Sequence, residues 1–125
     1  MALKLIIDPT PPVLPPPSAR DFGLLIERAA YWVVNVKTPA PFDVYVGRAN
    51  PRFKALGWGN EFLITKAMTR EEAVGRFWDA VEADGARLAR IRRELRGKML
   101  GCFCAPALCH AHVLVWIAND LGILG

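Results

Sequence analysis

No cysteine occurs before position 102 and no histidine before position 110 in this 125-residue chain. Chemistry that needs a thiolate, an imidazole or a soft metal is therefore confined to one short stretch. No apolar run reaches the roughly 18 residues that a membrane-spanning helix needs. The glycines form neither a Walker nor a dinucleotide-binding pattern, so the two common phosphate-cradling loops are absent. Nothing resembles a helix-turn-helix. The opening MALKLIIDPTPP has one lysine and an apolar block too short for a secretory signal. Three cysteines cannot all pair within one chain, and Cys102 and Cys104 are poorly placed to pair with each other. The expectation is reduced thiols in a cytoplasmic protein. The formal charge of +4 is compatible with an anionic ligand but too common to indicate one.

What is present is concentrated near the end of the chain. Residues 98–121 read KMLGCFCAPALCHAHVLVWIANDL and hold every cysteine and histidine. Residues 99–104 are an apolar run that predicts a buried strand. Pro106 marks a turn, having no amide hydrogen and a fixed φ. From His110 onward, Val113, Leu114, Ile117, Ala118 and Leu121 recur at helical spacing, with Gly122 as the expected left-handed cap. Ligating and nucleophilic groups thus collect where a strand ends and a helix begins, the place where open α/β sheets bind ligands.

Upstream, residues 1–20 carry six of the ten prolines. They predict an extended arm, either a tether across the surface or a polyproline II ligand for another protein, with an edge strand at residues 3–7. Residues 21–125 form the expected domain. Ser18 or Asp21 can cap a helix running through Ala30. YWVVNV at 31–36 and Val44-Tyr45-Val46 predict strands, the second ending in Gly47-Arg48. Residues 49–68 have no periodicity, yet Gly57-Trp58-Gly59-Asn60-Glu61-Phe62 is too aromatic for disorder and predicts a packed loop. Thr69-Arg70-Glu71-Glu72 is a capping box, opening a helix that buries Ala73, Val74, Phe77, Trp78 and Val81. Gly85 permits a break before a second helical stretch with Leu88, Ile91 and Leu95 inward. Strand, helices, strand is the pattern of a parallel crossover. The expected class is a small α/β domain of two or three layers, with room for an antiparallel pair at the 31–37 edge.

Four blocks carry a family resemblance: Val33-Val34-Asn35-Val36; Asp43-Val44-Tyr45-Val46-Gly47-Arg48; Trp58-Gly59-Asn60-Glu61-Phe62; and the run from Leu95 to Pro106 followed by Cys109-His110. In order and spacing they resemble the domain of unknown function 4326 family, short proteins of bacteria and their phages. The match spans roughly residues 33–120. Glu61 stands where the family usually has proline, and Ala111-His112 where it usually has glycine-aspartate. The resemblance implies a fold and a site position; it brings no activity.

Several constellations suggest chemistry. Cys102, Cys104, Cys109 and His110 together offer three thiolates and an imidazole, a complete set for zinc. Cys-x-Cys on a strand wraps a metal poorly, however, so no metal is the favoured expectation, and Cys102 has the alternative of packing as core. Cys109, at a helix start beside His110 and His112, is the expected reactive thiol. Arg48 after Gly47 faces the same sheet edge as Cys104 if the strands are parallel, which suits a phosphate or carboxylate; otherwise Arg48 pairs with Asp43 or Glu61. Gly57 to Asn60 reads as a lid, with Gly57 and Gly59 for unusual φ, Trp58 to stack on a planar ligand and Asn60 to read an edge, or simply as loop packing. Arg90, Arg93 and Arg96 lie on a basic helix face that suits a nucleic-acid backbone or plain solvent.

The leading expectation is a protein that binds a nucleotide-like or other phosphorylated small molecule. Gly47, Arg48, Trp58, Gly59, Asn60, Cys104 and His112 would line the site, and amides near His110 would help hold the anion. Whether a reaction follows is left open; attack on a nucleotide or glycosidic carbon assisted by Glu61, Cys109 or His110 is the type the residues allow. The alternative is a non-enzymatic module, zinc-stabilised or not, that contacts nucleic acid or a protein through the arginine helix.

Overall fold

A computed structural model describes residues 20–124. Residues 1–19, with the edge strand expected at 3–7 and the cap expected at Ser18, lie outside the described residues. The elements, in chain order, are α1 (Phe22–Ala29), β1 (Val33–Asn35), β2 (Val44–Tyr45), α2 (Arg70–Glu82), α3 (Gly85–Leu95), β3 (Leu100–Cys102) and α4 (His110–Ala118). Short 3-10 turns follow α1 and α4.

Each of the first three helices starts where a side chain satisfies an orphan backbone amide. Asp21 Oδ1 accepts from Leu24 N at 2.9 Å, Thr69 Oγ1 from Glu72 N at 3.1 Å, and Asp84 Oδ1 from Arg87 N at 3.1 Å. Asp84 is why α2 and α3 are two helices. Beyond α3, Gly97 takes φ +73° and turns the chain into β3. The end of α4 departs from expectation. The left-handed residue is Asp120, at φ 52°, and not Gly122. Gly122 is needed for space: a Cβ there would lie 2.9 Å from the Trp116 indole nitrogen.

The sheet has the order β1-β3-β2, with every pair parallel. Val33, Val34 and Asn35 face Leu100, Gly101 and Cys102; Val44 and Tyr45 face Leu100 and Gly101 from the other side. The crossover from β2 through α2 and α3 to β3 is therefore parallel, as expected. The antiparallel pair allowed for at the 31–37 edge does not form, because β3 occupies the slot between β1 and β2. Residues 36–43 instead carry the chain back to the start of the sheet. Eight residues reach about 26–29 Å when extended, ample for strands only about 10 Å long. That return crosses the sheet at Gly101, where a Cβ would meet Phe42 and Val36 at 2.8 Å.

Side chains alternate across the strands. Val33, Val46, Leu100 and Cys102 join the main core with residues of all four helices. Val34, Val36 and Tyr45 are buried but point the other way, outside that cluster. On that second face Tyr45 stacks on Phe53, centroids 4.6 Å apart, and Phe53 meets Phe42 and Phe103 edge-on. The molecule is thus a helical layer on a small sheet, with aromatic loops closing the opposite face. At the centre of the helical layer α4 buries Ala111, His112, Val113, Leu114, Val115, Ile117 and Ala118, more than one stripe. It packs against α1, α2, α3 and the sheet, which explains a helix apolar on nearly every side.

Candidate functional site

A cavity of about 510 Å³ opens at the carboxyl ends of β2 and β3. Gly47, Arg48, Asn60, Arg70, the three cysteines and His110 line it, together with Phe62, Leu63, Ile64, Val74, Phe103 and Leu108. The loop after β3 is held from β1: Asn35 Nδ2 donates to Ala105 O at 2.7 Å. The strand ends at Cys102, so Cys104 sits in a bend and not on the strand. It turns back toward Cys109, the residue immediately before α4.

The three cysteines line one cavity and perturb one another's ionisation. The Cys109 thiol, with one hydrogen to share, is the largest influence lowering the pKa of both Cys102, to about 7, and Cys104, to about 5. Cys104 gains a further hydrogen bond from the Arg70 guanidinium and the positive potential of Arg48. Cys109 is 3% exposed, and holding its proton between two sulfurs pushes its own pKa well above the ordinary thiol range. Burial and the raised pKa both count against the expectation that Cys109 is the reactive thiol. The helix start turns Cys109 inward as a donor, and Cys104, half-buried at the cavity, carries the thiolate.

His110 Nε2 lies 2.7 Å from the Val46 carbonyl oxygen. A carbonyl only accepts, so Nε2 holds the proton and Nδ1 is an acceptor that shares the Cys109 thiol hydrogen, 3.4 Å from Cys109 Sγ. Burial pulls the ring down to about 4, which keeps it neutral. His110 lines the cavity with no ring N–H free to act as an acid. His112 does not line it: the side chain is 1% exposed, and its Nδ1 accepts from the Cys109 amide at 3.0 Å. It closes the first turn of α4. That use of the Cys109 amide also removes one of the donors expected near His110 for an anion.

Three further expectations are corrected. Glu61 is exposed and off the cavity, paired with Arg87 through two contacts of 3.0 and 3.1 Å that lower its pKa. Trp58 is buried beneath the Arg90 guanidinium, 3.9 Å from the ring centroid, so its faces are not open to a ligand. Gly59 is likewise outside the lining; a Cβ there would meet Arg48 Cγ at 3.7 Å. Asn60 reaches the cavity, but its amide works as scaffold: Nδ2 donates to Ala73 O at 3.1 Å and Oδ1 accepts from Phe62 N at 2.8 Å. Gly47 is explained by its neighbour, since a Cβ there would overlap the Tyr45 hydroxyl. That hydroxyl donates to Arg48 O at 2.6 Å and fixes the turn that presents Arg48.

Arg48 pairs with neither Asp43 nor Glu61. Its Nη2 donates to Asn60 O at 2.9 Å and the side chain stays exposed. Arg70 was not among the residues expected here. Its Nη1 donates to Leu108 O at 3.1 Å, which aims it at the cysteine loop. A signal existed: a cation in the first turn of a helix opposes the macrodipole and calls for a reason. Among the described residues, no group of three or more histidine, cysteine, aspartate or glutamate side chains is arranged to hold a metal ion. The Cys102, Cys104, Cys109 and His110 set is instead tied up in its own hydrogen bonds and in Val46.

Residues 34–120 match a family model described as Domain of unknown function (DUF4326). No curated protein and no solved structure matches the chain.

Proposed function

The chain belongs to the domain of unknown function 4326 family, and we propose from the site itself that it binds a phosphorylated, nucleotide-like small molecule. The observation that carries this is the convergence of Arg48 and Arg70 on one cavity whose lining includes no carboxylate among the described residues. Guanidinium groups match phosphate oxygens with paired donors. The remaining wall, from Phe62, Leu63, Ile64, Leu108 and Phe103, offers apolar contact to a planar or hydrophobic remainder. At about 510 Å³ the space suits a ligand of nucleotide size. If group transfer follows binding, the thiolate at Cys104 is the nucleophile the geometry offers.

The alternative surface on α3 has less support. Arg90 and Arg93 contact Glu94, and Arg96 contacts Asp120, so much of the basic face is already neutralised. The test is a panel of nucleotides, sugar phosphates and inorganic phosphate read by thermal shift and then calorimetry. Arg48→Ala and Arg70→Ala should each weaken the best ligand at least about tenfold, since a charge-assisted hydrogen bond is worth roughly 1.5–3 kcal/mol. Unchanged affinity in both folded variants would refute the reading.

A further inference from the structure

The cysteine cluster has an arrangement that anion binding does not require. Cys104 faces the cavity and is half-buried, whereas Cys109, which lines the same cavity, is 3% exposed. Cys102, the third member, is 1% exposed and sits on the central strand. Arg70 is anchored on Leu108 O, lines the same cavity and helps lower the pKa of Cys104. One accessible sulfur, a second and buried sulfur five residues on in the same cavity wall, and an anchored guanidinium in that wall are the parts of a two-step thiol oxidation.

We propose that Cys104 is a hydroperoxide-reactive cysteine and that Cys109 resolves its oxidised form as an intramolecular disulfide. In the first step the Cys104 thiolate attacks the nearer peroxide oxygen. An S–O bond forms, the O–O bond breaks, and the departing oxygen leaves with the electron pair and takes a proton from water. Cys104 is oxidised to the sulfenic acid and the hydroperoxide is reduced to water or an alcohol. In the second step Cys109 sulfur attacks Cys104 sulfur; the S–S bond forms, the S–O bond breaks, and the hydroxyl leaves as water with the Cys109 proton. An external thiol returns the pair to the reduced state by exchange.

Exposure and charge set the order of events. A hydroperoxide is small and neutral, and the cavity leads to Cys104 before the buried pair. The lowered pKa of Cys104 favours its thiolate, beyond the few per cent of an ordinary cysteine at neutral pH. Cys109 goes second because it is 3% exposed, behind the more accessible Cys104. The inference does not depend on the phosphorylated ligand, which takes no part in the test.

The full chain, reduced and then freed of reductant, is treated with hydrogen peroxide at neutral pH and read by intact mass. Wild type and Cys102→Ser should each lose two hydrogens. Cys109→Ser should gain one oxygen, captured on Cys104 by a cyclic diketone. Cys104→Ser should stay reduced, a loss of at least about tenfold in rate. Circular dichroism checks that each variant is folded. Chymotryptic mapping of oxidised wild type, with cleavage after Phe103 and Leu108, separates the three cysteines and locates the bond without any variant. A bond mapped to Cys102, a disulfide formed by folded Cys104→Ser at the wild-type rate, or no sulfenic acid in folded Cys109→Ser would each overturn the proposal.

Discussion

Replacing Cys109 by alanine removes a single hydrogen-bond donor from between two sulfurs. The Cys109 thiol is the largest reason that Cys104 ionises at about 5. A hydrogen bond to a charged group contributes roughly 1.5–3 kcal/mol, and one pKa unit corresponds to about 1.4 kcal/mol. Losing the donor should therefore raise Cys104 by about 1–2 units. Arg70 and Arg48 remain, so the thiol should still titrate below the ordinary value of about 8.5. The rate of alkylation at one pH is a poor readout, because intrinsic nucleophilicity rises as the thiolate fraction falls. The midpoint of the alkylation rate against pH is the right one, quantified with iodoacetamide on the chymotryptic peptide that carries Cys104. Cys109→Ser keeps a hydroxyl donor and should restore most of the shift. A midpoint unmoved in Cys109→Ala, or an ordinary thiol midpoint in wild type, would refute the hydrogen-bonded sulfur cluster.

The two histidines make the fold acid-sensitive. His110 titrates at about 4 instead of 6.5, chiefly through burial, and His112 is lowered for the same reason. Depressed folded values mean the unfolded chain takes up protons that the fold refuses. Stability should be intact above pH 6.5 and fall as pH drops toward 4, by on the order of 3 kcal/mol for His110 alone. Melting temperatures that stay flat across that window would contradict the assignment. Gly101→Ala places a methyl against Phe42 and Val36 at 2.8 Å and should cost about 1–3 kcal/mol by chemical denaturation, with no change expected in Cys104 alkylation per folded molecule. Elemental analysis of purified protein should find no stoichiometric zinc; about one zinc per chain, with unfolding on chelation, would favour the Cys102, Cys104, Cys109 and His110 metal set instead.

The sequence by itself determined the parts of this protein that depend on near neighbours. Asp21, Thr69 and Asp84 reach amides three residues on, so the helix starts at 22, 70 and 85 follow from local chemistry. The stripes of α2 and α3 and the apolar strands carry their periods within a single element. Crowding of cysteine and histidine between a strand and a helix likewise located the cleft. Only the tertiary structure decided the rest. Glu61 meets Arg87 and Trp58 meets Arg90 across more than twenty residues, and these partners removed both from the site. Arg70 entered it because α2 starts beside the cysteine loop. The central place of β3 rests on what the missing side chain of Gly101 admits, which no pattern within the strand reveals. Which cysteine is charged was decided last and least locally. The three thiols are chemically alike, and only their unequal burial, their mutual contacts and the approach of Arg70 put the proton on Cys109 and the charge on Cys104.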